Sequence, residues 1–455
     1  MKGRTVRFLR HWSLLGLTAL SLAASAQTSA PWTVKQQWVS AHENFLASDA
    51  LQGRKSASRD ETIAAVYVAS QFESFGIKPV PGMKGGYLQT AVIPQPRLEG
   101  NAKLTFAGST EAQGLTLITS NGQPVAGKLV VAASEDPKAL GNDEVVLVKG
   151  PAPTMGWYSA ASRQGVKLLI LRESDEVKRL FAQMGGQPRL LRDSGGRTRT
   201  TVLAVPGPLF ERLASSAGQS VQLEPPPVVE DKVVTTNAIG FLQGSDPKAG
   251  VLLFSAHLDH LGMRPDGTIM YGANDNASGV TAVLELARAF AAGTQPKRSI
   301  LFVCYGAEEI GLYGARYFAE NPPIPLKDIV ANLEFEMIGA QDPKLPPRTL
   351  MMTGFERSDF GETLKARGFQ ITADPYPEQN FFQRSDNYQL ALMGIVAHTV
   401  SGWATNPTYH QASDDIAHLD IPFMTAAIQS LIEPARWLAN SDYVPAWKPG
   451  GKPTR

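Results

Sequence analysis

Hydrophobic patterning divides the chain into three stretches. In the C-terminal half, the runs GVLLFSAHLDH, RSILFVCYGAEE, IVANLEFEMIG, RTLMMTGF and MGIVAHTV are almost uniformly apolar and rich in Val, Ile and Leu. Such runs predict strands covered on both faces. Between and after them, Ala277 to Ala291, Leu312 to Glu320 and Ile421 to Asn440 carry apolar residues at helical spacing. Strands alternating with helices predict an α/β fold, a mostly parallel central sheet flanked by helices, whose ligands bind beyond the carboxyl ends of the strands. Near the N-terminus, Val34 to Leu46 and Glu61 to Phe75 also read as helices, with Ser58 and Asp60 as caps and the polar loop SDALQGRKSASRD between them.

The middle stretch differs. AKLTFAG, GKLVVAA, EVVLVKG, VKLLILRE and TTVLAVPG alternate with turns, and the Pro-rich segments PQPRLEGN (94–101) and EPPPVVED (224–231) read as linkers around them. Residues 100–232 are therefore expected to form a β-rich insert in a catalytic domain made of 27–99 and 233–445, with 446–455 as a flexible tail.

The extreme N-terminus carries Lys2, Arg4, Arg7 and Arg10, an apolar run from Leu14 to Ala24, and Ala24-Ser25-Ala26 before Gln27. This order is that of a secretory signal peptide over residues 1–26, and the apolar run is too short to span a bilayer. Export to the bacterial periplasm or the medium follows, with no stable membrane anchor after cleavage. Removing the segment leaves 39 basic against 42 acidic residues, too balanced to create a field that holds nucleic acid. Arg189, Arg192, Arg197 and Arg199 cluster in a Gly/Ser-rich loop without aromatic partners and read as a solvated face. Cys304, the only cysteine, has no partner for an internal disulfide and sits in an apolar run as a buried small hydrophobe.

The chemistry concentrates at the ends of the C-terminal strands. His257 and Asp259 stand in SAHLDH, Asp275 in YGANDNASGV, Glu308-Glu309 in YGAEEIG, Glu336 in EFEMIG and His410 in TYHQASDD. Two imidazoles and several carboxylates are the hard donors of a two-metal hydrolase. Asp259 could accept the second N–H of His257. Asp275 could bridge two cations, Asn276 being the better cap for the following helix. Of the Glu308-Glu309 pair, one can ligate while its neighbour takes a proton from water. Glu334 rivals Glu336, since the two share a strand face, and Asp414 or Asp415 could orient His410. Met337, Phe381, Phe382 and Tyr409 lie near these motifs as an apolar pocket lining.

These motifs resemble the zinc aminopeptidases of metallopeptidase family 28, the group that also contains glutamate carboxypeptidase II, transferrin receptor and glutaminyl cyclase. The resemblance takes in the LQGR segment near the N-terminus, and the stretch at about 100–230 resembles the protease-associated domain inserted in such enzymes. It implies two zinc ions: one on His257, bridging Asp275 and Glu336, the other on Asp275, Glu309 and His410. It further implies Glu308 as general base, Asp259 as the carboxylate behind His257, and peptides with free N-termini as substrates. Arg384-Ser385-Asp386 resembles a further motif beside the substrate pocket, although a helix N-cap explains it as well. The family has Asp where this chain has Glu336. A single-zinc aminoacyltransferase of the cyclase type and a non-enzymatic binding module are the rival readings; the complete donor set argues against the second.

Overall fold

The computed structural model describes Met1, Gly3 and residues 32–84, 86–132, 144–149, 161–183, 186–191 and 200–454. The apolar run and cleavage site of the expected signal peptide lie outside these residues, as do Arg192, Arg197 and Arg199. No helix among the described residues is long and apolar enough to cross a membrane.

The strand Val251–His257, buried at every position, lies within an eight-stranded sheet. It pairs in parallel with Ser299–Tyr305 on one side and Ile329–Glu336 on the other, and Ala397–Ser401 extends the parallel set. Val228–Leu242 and then Leu88–Leu98 add antiparallel strands at one margin. At the other, Leu350–Met352 runs antiparallel to Ala397–Ser401 and pairs in parallel with Ile371–Ala373. The α/β class holds, and the sheet is mixed: parallel at its centre, with antiparallel pairings toward both margins.

Alternation along these strands feeds two cores. Leu253, Val303 and Tyr305 point to one face, where Ala315, Phe318, Leu390 and Ala391 cover them. On the opposite face the ring of Phe254 lies 6.2, 6.1 and 6.3 Å from those of Phe290, Phe302 and Phe335. Truncating so central a ring, as in Phe254→Ala, removes about 3–5 kcal/mol. The helix Ser278–Ala291 is buried on nearly every side because it packs on the sheet and also against the helices Gln36–Leu46, Arg59–Phe75 and Ile421–Asn440. Ser58 Oγ accepts from the backbone N–H groups of Asp60 and Glu61 and so caps Arg59–Phe75, which ends at Gly76 with φ 86°. Asp60 lies in the first turn and is not the cap.

A second, nine-stranded sheet is built from the middle stretch, running from Ser109–Glu111 at one edge to Arg189–Leu190 at the other. Its centre, Val125–Ala132, Val145–Val148, Leu168–Arg172 and Thr201–Val205, is parallel. Leu104, Leu129, Leu147, Ile170, Leu203 and Leu223 share its core. Both sheets belong to one unit, Val34–Arg455.

Two expectations are corrected. The Pro-rich segments are paired: Leu88–Leu98 runs antiparallel to Val228–Leu242, with Pro94 opposite Lys232 and Pro96 opposite Glu230. Leu88–Leu98 is an edge strand, and alternate residues of such a strand direct their N–H away from the partner, so prolines two apart can sit there without breaking the ladder. The C-terminal segment is docked, not free: Trp447 Nε1 donates to Gly394 O at 3.0 Å, and Lys448 N donates to Arg357 O at 2.8 Å.

Candidate metal centre

Three adjacent parallel strands deliver their last residues to the same end of the sheet. His257 and Glu336 are strand termini, and Glu308-Glu309 follow Ser299–Tyr305. Two of these strands run straight into sharp turns, at Ala307 and Met337 with φ of 52° and 54°, and the loop donor His410 has φ 56°, a region that side chains other than glycine seldom occupy. Asp275 comes from the irregular turn before Ser278–Ala291, and Gly272 opens that turn with φ 61°. A Cβ at Gly272 would lie 2.4 Å from the ring of His260, so only glycine permits this approach.

The donors converge. His257 Nε2 lies 3.3 Å from Asp275 Oδ1, and these two residues form one compact group with Glu336. His410 Nε2 lies 3.3 Å from Asp275 Oδ2 and 3.1 Å from Glu309 Oε2. A second compact group joins Asp275 and Glu309 to His260, whose Nδ1 is 2.8 Å from Glu309 Oε1 and 3.8 Å from Asp275 Oδ2. Asp275 is common to both groups; Glu308 is in neither. Ligand atoms bonded to one zinc ion at about 2.0–2.2 Å in tetrahedral array stand roughly 3–3.5 Å apart, so the spacing suits a cation. His257 Nε2, His260 Nδ1, Glu309 Oε1 and His410 Nε2 are all buried atoms without a hydrogen-bond partner. Orphaned lone pairs at that spacing fit a pair of divalent cations.

The surrounding frame is largely hydrogen-bonded. Asp259 does not clasp the His257 ring as expected, its Oδ1 being 3.8 Å from Nδ1; its own backbone carbonyl is nearer, at 3.3 Å. Its carboxylate instead accepts from Ser56 Oγ at 2.5 Å and from the backbone N–H groups of Glu308 and Glu309 at 3.0 and 3.3 Å, which fixes the acidic turn. Glu61 supports the same turn by accepting from Ala307 N, Thr235 Oγ1 and Thr236 N, and burial pushes its carboxyl up to about 7. Neither acid after His410 orients it. Asp414 accepts from the backbone N–H groups of Asn274 and Asp275 at 2.8 and 3.0 Å, while Asp415 pairs with His418. The ring of Tyr409 stacks on His410 at 3.8 Å. Asn276 accepts from Gly279 N and Met337 N and donates to Phe335 O, tying the Asp275 turn to the Glu336 strand.

Beneath the site lies Arg54, fully buried, its guanidinium donating to the carbonyls of Leu46, Leu258, Tyr271 and Gly272. This is the arginine of LQGR. Burial raises the carboxyl of Glu308, and its neighbours Asp386, Glu336 and Glu309 push it further in the same direction against the pull of His257. Asp275 goes the other way: burial opposes its ionisation, yet His257 and His410 hold it far below the usual carboxylate range.

Glu334 and Glu336 do share a face, but Glu334 is fully buried, accepts from Ser255 Oγ and stands outside both compact groups. Asp386 precedes the helix Asn387–Leu392 without capping it, and both its buried oxygens lack hydrogen-bond partners. A pocket opens beside Glu336, lined by Met337, Met351, Phe381, Arg384 and Tyr409. Phe382, expected there, packs instead into the core against His398 and Trp447.

Residues 237–433, which carry every donor named above, match the model of Peptidase family M28. This segment belongs to peptidase family M28. The chain is also similar to part of leupeptin-inactivating enzyme 1 of Streptomyces exfoliatus, at 41% identity over 109 residues, 24% of this chain and 23% of that protein. A longer likeness, 25% identical over 70% of this chain and 68% of its counterpart, is to the probable lipoprotein aminopeptidase LpqL of Mycobacterium tuberculosis. Among solved structures, the zinc aminopeptidase BSAP from Bacillus subtilis shares the fold, with a TM-score of 0.56 at 19% identity over 90% of this chain and 97% of that one. The aminopeptidase from Aneurinibacillus sp. strain AM-1 shares it too, with a TM-score of 0.55 at 17% identity over 90% of this chain and 94% of that one. The segment 237–433 contains the parallel strands and the donors at their ends.

Proposed function

We propose that the chain is a zinc aminopeptidase that removes single residues from the free N-termini of peptides, with two ions held by His257, Asp275, Glu309, Glu336 and His410. The observation that carries this reading is the convergence of buried, hydrogen-bond-orphaned donors on two groups that share Asp275. When bound, the ions would polarise the scissile carbonyl and make water acidic enough to attack near neutral pH. Glu308, held by its backbone N–H on Asp259, accepts the proton of the attacking water and delivers it to the leaving amine. The carboxylates around Asp275 and Glu336 attract the substrate's α-ammonium group, and the adjoining pocket receives its side chain. Glu336 extends one methylene further than the family's Asp and still groups with His257 and Asp275.

The sheet formed within residues 100–232 resembles a protease-associated domain and shapes access to the site without supplying chemistry. The Ala24-Ser25-Ala26 signal directs the enzyme out of the cytoplasm, with peptides as its partners and no role for nucleic acid. The test compares an aminoacyl anilide with its N-acetylated form under saturating zinc. Cleavage of the free amine alone supports the proposal; equal cleavage of both removes the aminopeptidase assignment.

A further inference from the structure

His260 stands outside the donor set just used, yet it carries the same structural signature as His257 and His410. Its Nδ1 lies 2.8 Å from Glu309 Oε1 and 3.8 Å from Asp275 Oδ2, bracketing the 3.1 and 3.3 Å separations of His410 Nε2 from the same two carboxylates. At 2.8 Å a ring N–H aimed at the carboxylate would be a strong hydrogen bond. The contact is not well aligned for one, and His260 Nδ1, His260 Nε2 and Glu309 Oε1 are buried atoms without a well-formed hydrogen bond. The side chain is fully buried, and each orphaned buried polar atom costs about 1–3 kcal/mol unless something else occupies its lone pair.

The ring is also held from behind. His260 N donates to Arg54 O at 2.9 Å, Ser56 N donates to His260 O at 3.2 Å, and Gly272 leaves room where any side chain would collide with the imidazole. A ring anchored this way, facing two carboxylates with an unpaired nitrogen, is built as a ligand.

We infer that His260 is a metal ligand, its Nδ1 completing the ion site of Asp275 and Glu309 alongside His410. This rests on the metal reading given above. It makes the two sites unequal: the Asp275/Glu309 ion takes two imidazoles, the Asp275/Glu336 ion only His257. Softer, more numerous nitrogen donors favour zinc over harder cations at the first of these.

X-ray absorption of the two-zinc wild-type protein counts imidazoles without any substitution: three shared by two ions are expected, and two overturn the inference. His260→Ala and His260→Gln, checked for native circular dichroism, are loaded with cobalt and titrated with a chelator. One ion should weaken by more than the roughly 100-fold that loss of a mere orienting partner produces, with a changed visible spectrum. Unchanged affinity and spectrum in both variants overturn the inference while leaving the two-metal reading intact. Wild-type protein that binds no metal defeats both.

Discussion

Arg54→Met removes a buried cation beneath the site while nearly preserving volume. Its four hydrogen bonds run to backbone carbonyls at 2.5 Å (Leu46), 2.8 Å (Tyr271), 2.8 Å (Gly272) and 2.9 Å (Leu258). These carbonyls belong to three separate segments of the chain: the end of the first helix, the turn after His257 and the two residues leading into the Asp275 loop. Each charged hydrogen bond contributes about 1.5–3 kcal/mol net, so four give at most roughly 6–12 kcal/mol. Against this stands the desolvation of a buried guanidinium, several kcal/mol, which the variant no longer bears. A net loss of about 3–5 kcal/mol follows, in line with the removal of one partner from a buried ionic arrangement. Arg54→Lys keeps the charge but not the planar fork, and one ammonium cannot reach carbonyls on opposite sides, so it recovers less than half. Urea unfolding of metal-free protein at constant pH measures both. If Arg54→Met unfolds within about 1 kcal/mol of wild type, the guanidinium is not what joins these segments.

Glu308→Gln should retain both ions, because Glu308 lies in neither donor group, while turnover falls roughly 10²–10⁴-fold; metal analysis beside steady-state kinetics checks both halves. His398, buried with Nδ1 on Thr353 O and Nε2 on Ser358 Oγ, is pulled down to about 4 by desolvation. Its folded value is depressed, so the neutral ring's contribution is present above about pH 6.5 and lost as pH falls toward 4, about 2–3 kcal/mol between pH 7.5 and 4.5. His398→Gln should show an acid-induced loss smaller by that amount in parallel urea titrations, and equal losses would refute the assignment.

Residue type and position relative to apolar runs made much of this legible. His257, Glu308, Glu309 and Glu336 stand where buried strands end, and three adjacent strands do end together. Strand order was not legible, since apolar runs of similar composition do not say which neighbours which. His260 escapes a reading by alternation, which puts it on the opposite face from His257; but the strand stops at His257, and the turn through Leu258 swings His260 back toward Glu309. The choice between Asp414 and Asp415 likewise depends on a loop that brings Asp414 to the Asp275 turn, 139 residues away in sequence. Pro94 and Pro96 signal a break in a single chain, whereas an edge strand accommodates them. Arg54 and Glu61 carry no motif that announces a buried role; only the carbonyls and amides that surround them do.

The acidic side chains gathered at this end of the sheet raise a problem that the protein alone does not solve. Burial and mutual repulsion push Glu308, Glu336, Glu334 and Asp386 above their ordinary values, so without metal they hold protons to higher pH than free carboxylates. Arg54 supplies one compensating charge, and it is already engaged with backbone. The two dications proposed for this site would reverse the balance: a ligating carboxylate must be ionised, and a neighbouring one is stabilised in its charged form. Metal binding is therefore expected to release protons, and apparent affinity to rise with pH by about tenfold per unit for each proton released. Calorimetric titration of metal-free protein in two buffers of different ionisation enthalpy gives the number directly. A binding enthalpy independent of the buffer would mean that the carboxylates are already ionised, and that the crowding seen here is relieved by something other than the metal. Glu336→Gln separates the contributions: it should remove proton release associated with the His257 ion and leave that of the other ion in place. Equal release from wild type and variant would assign the proton to Glu308 or to the deeper Glu334 and Asp386.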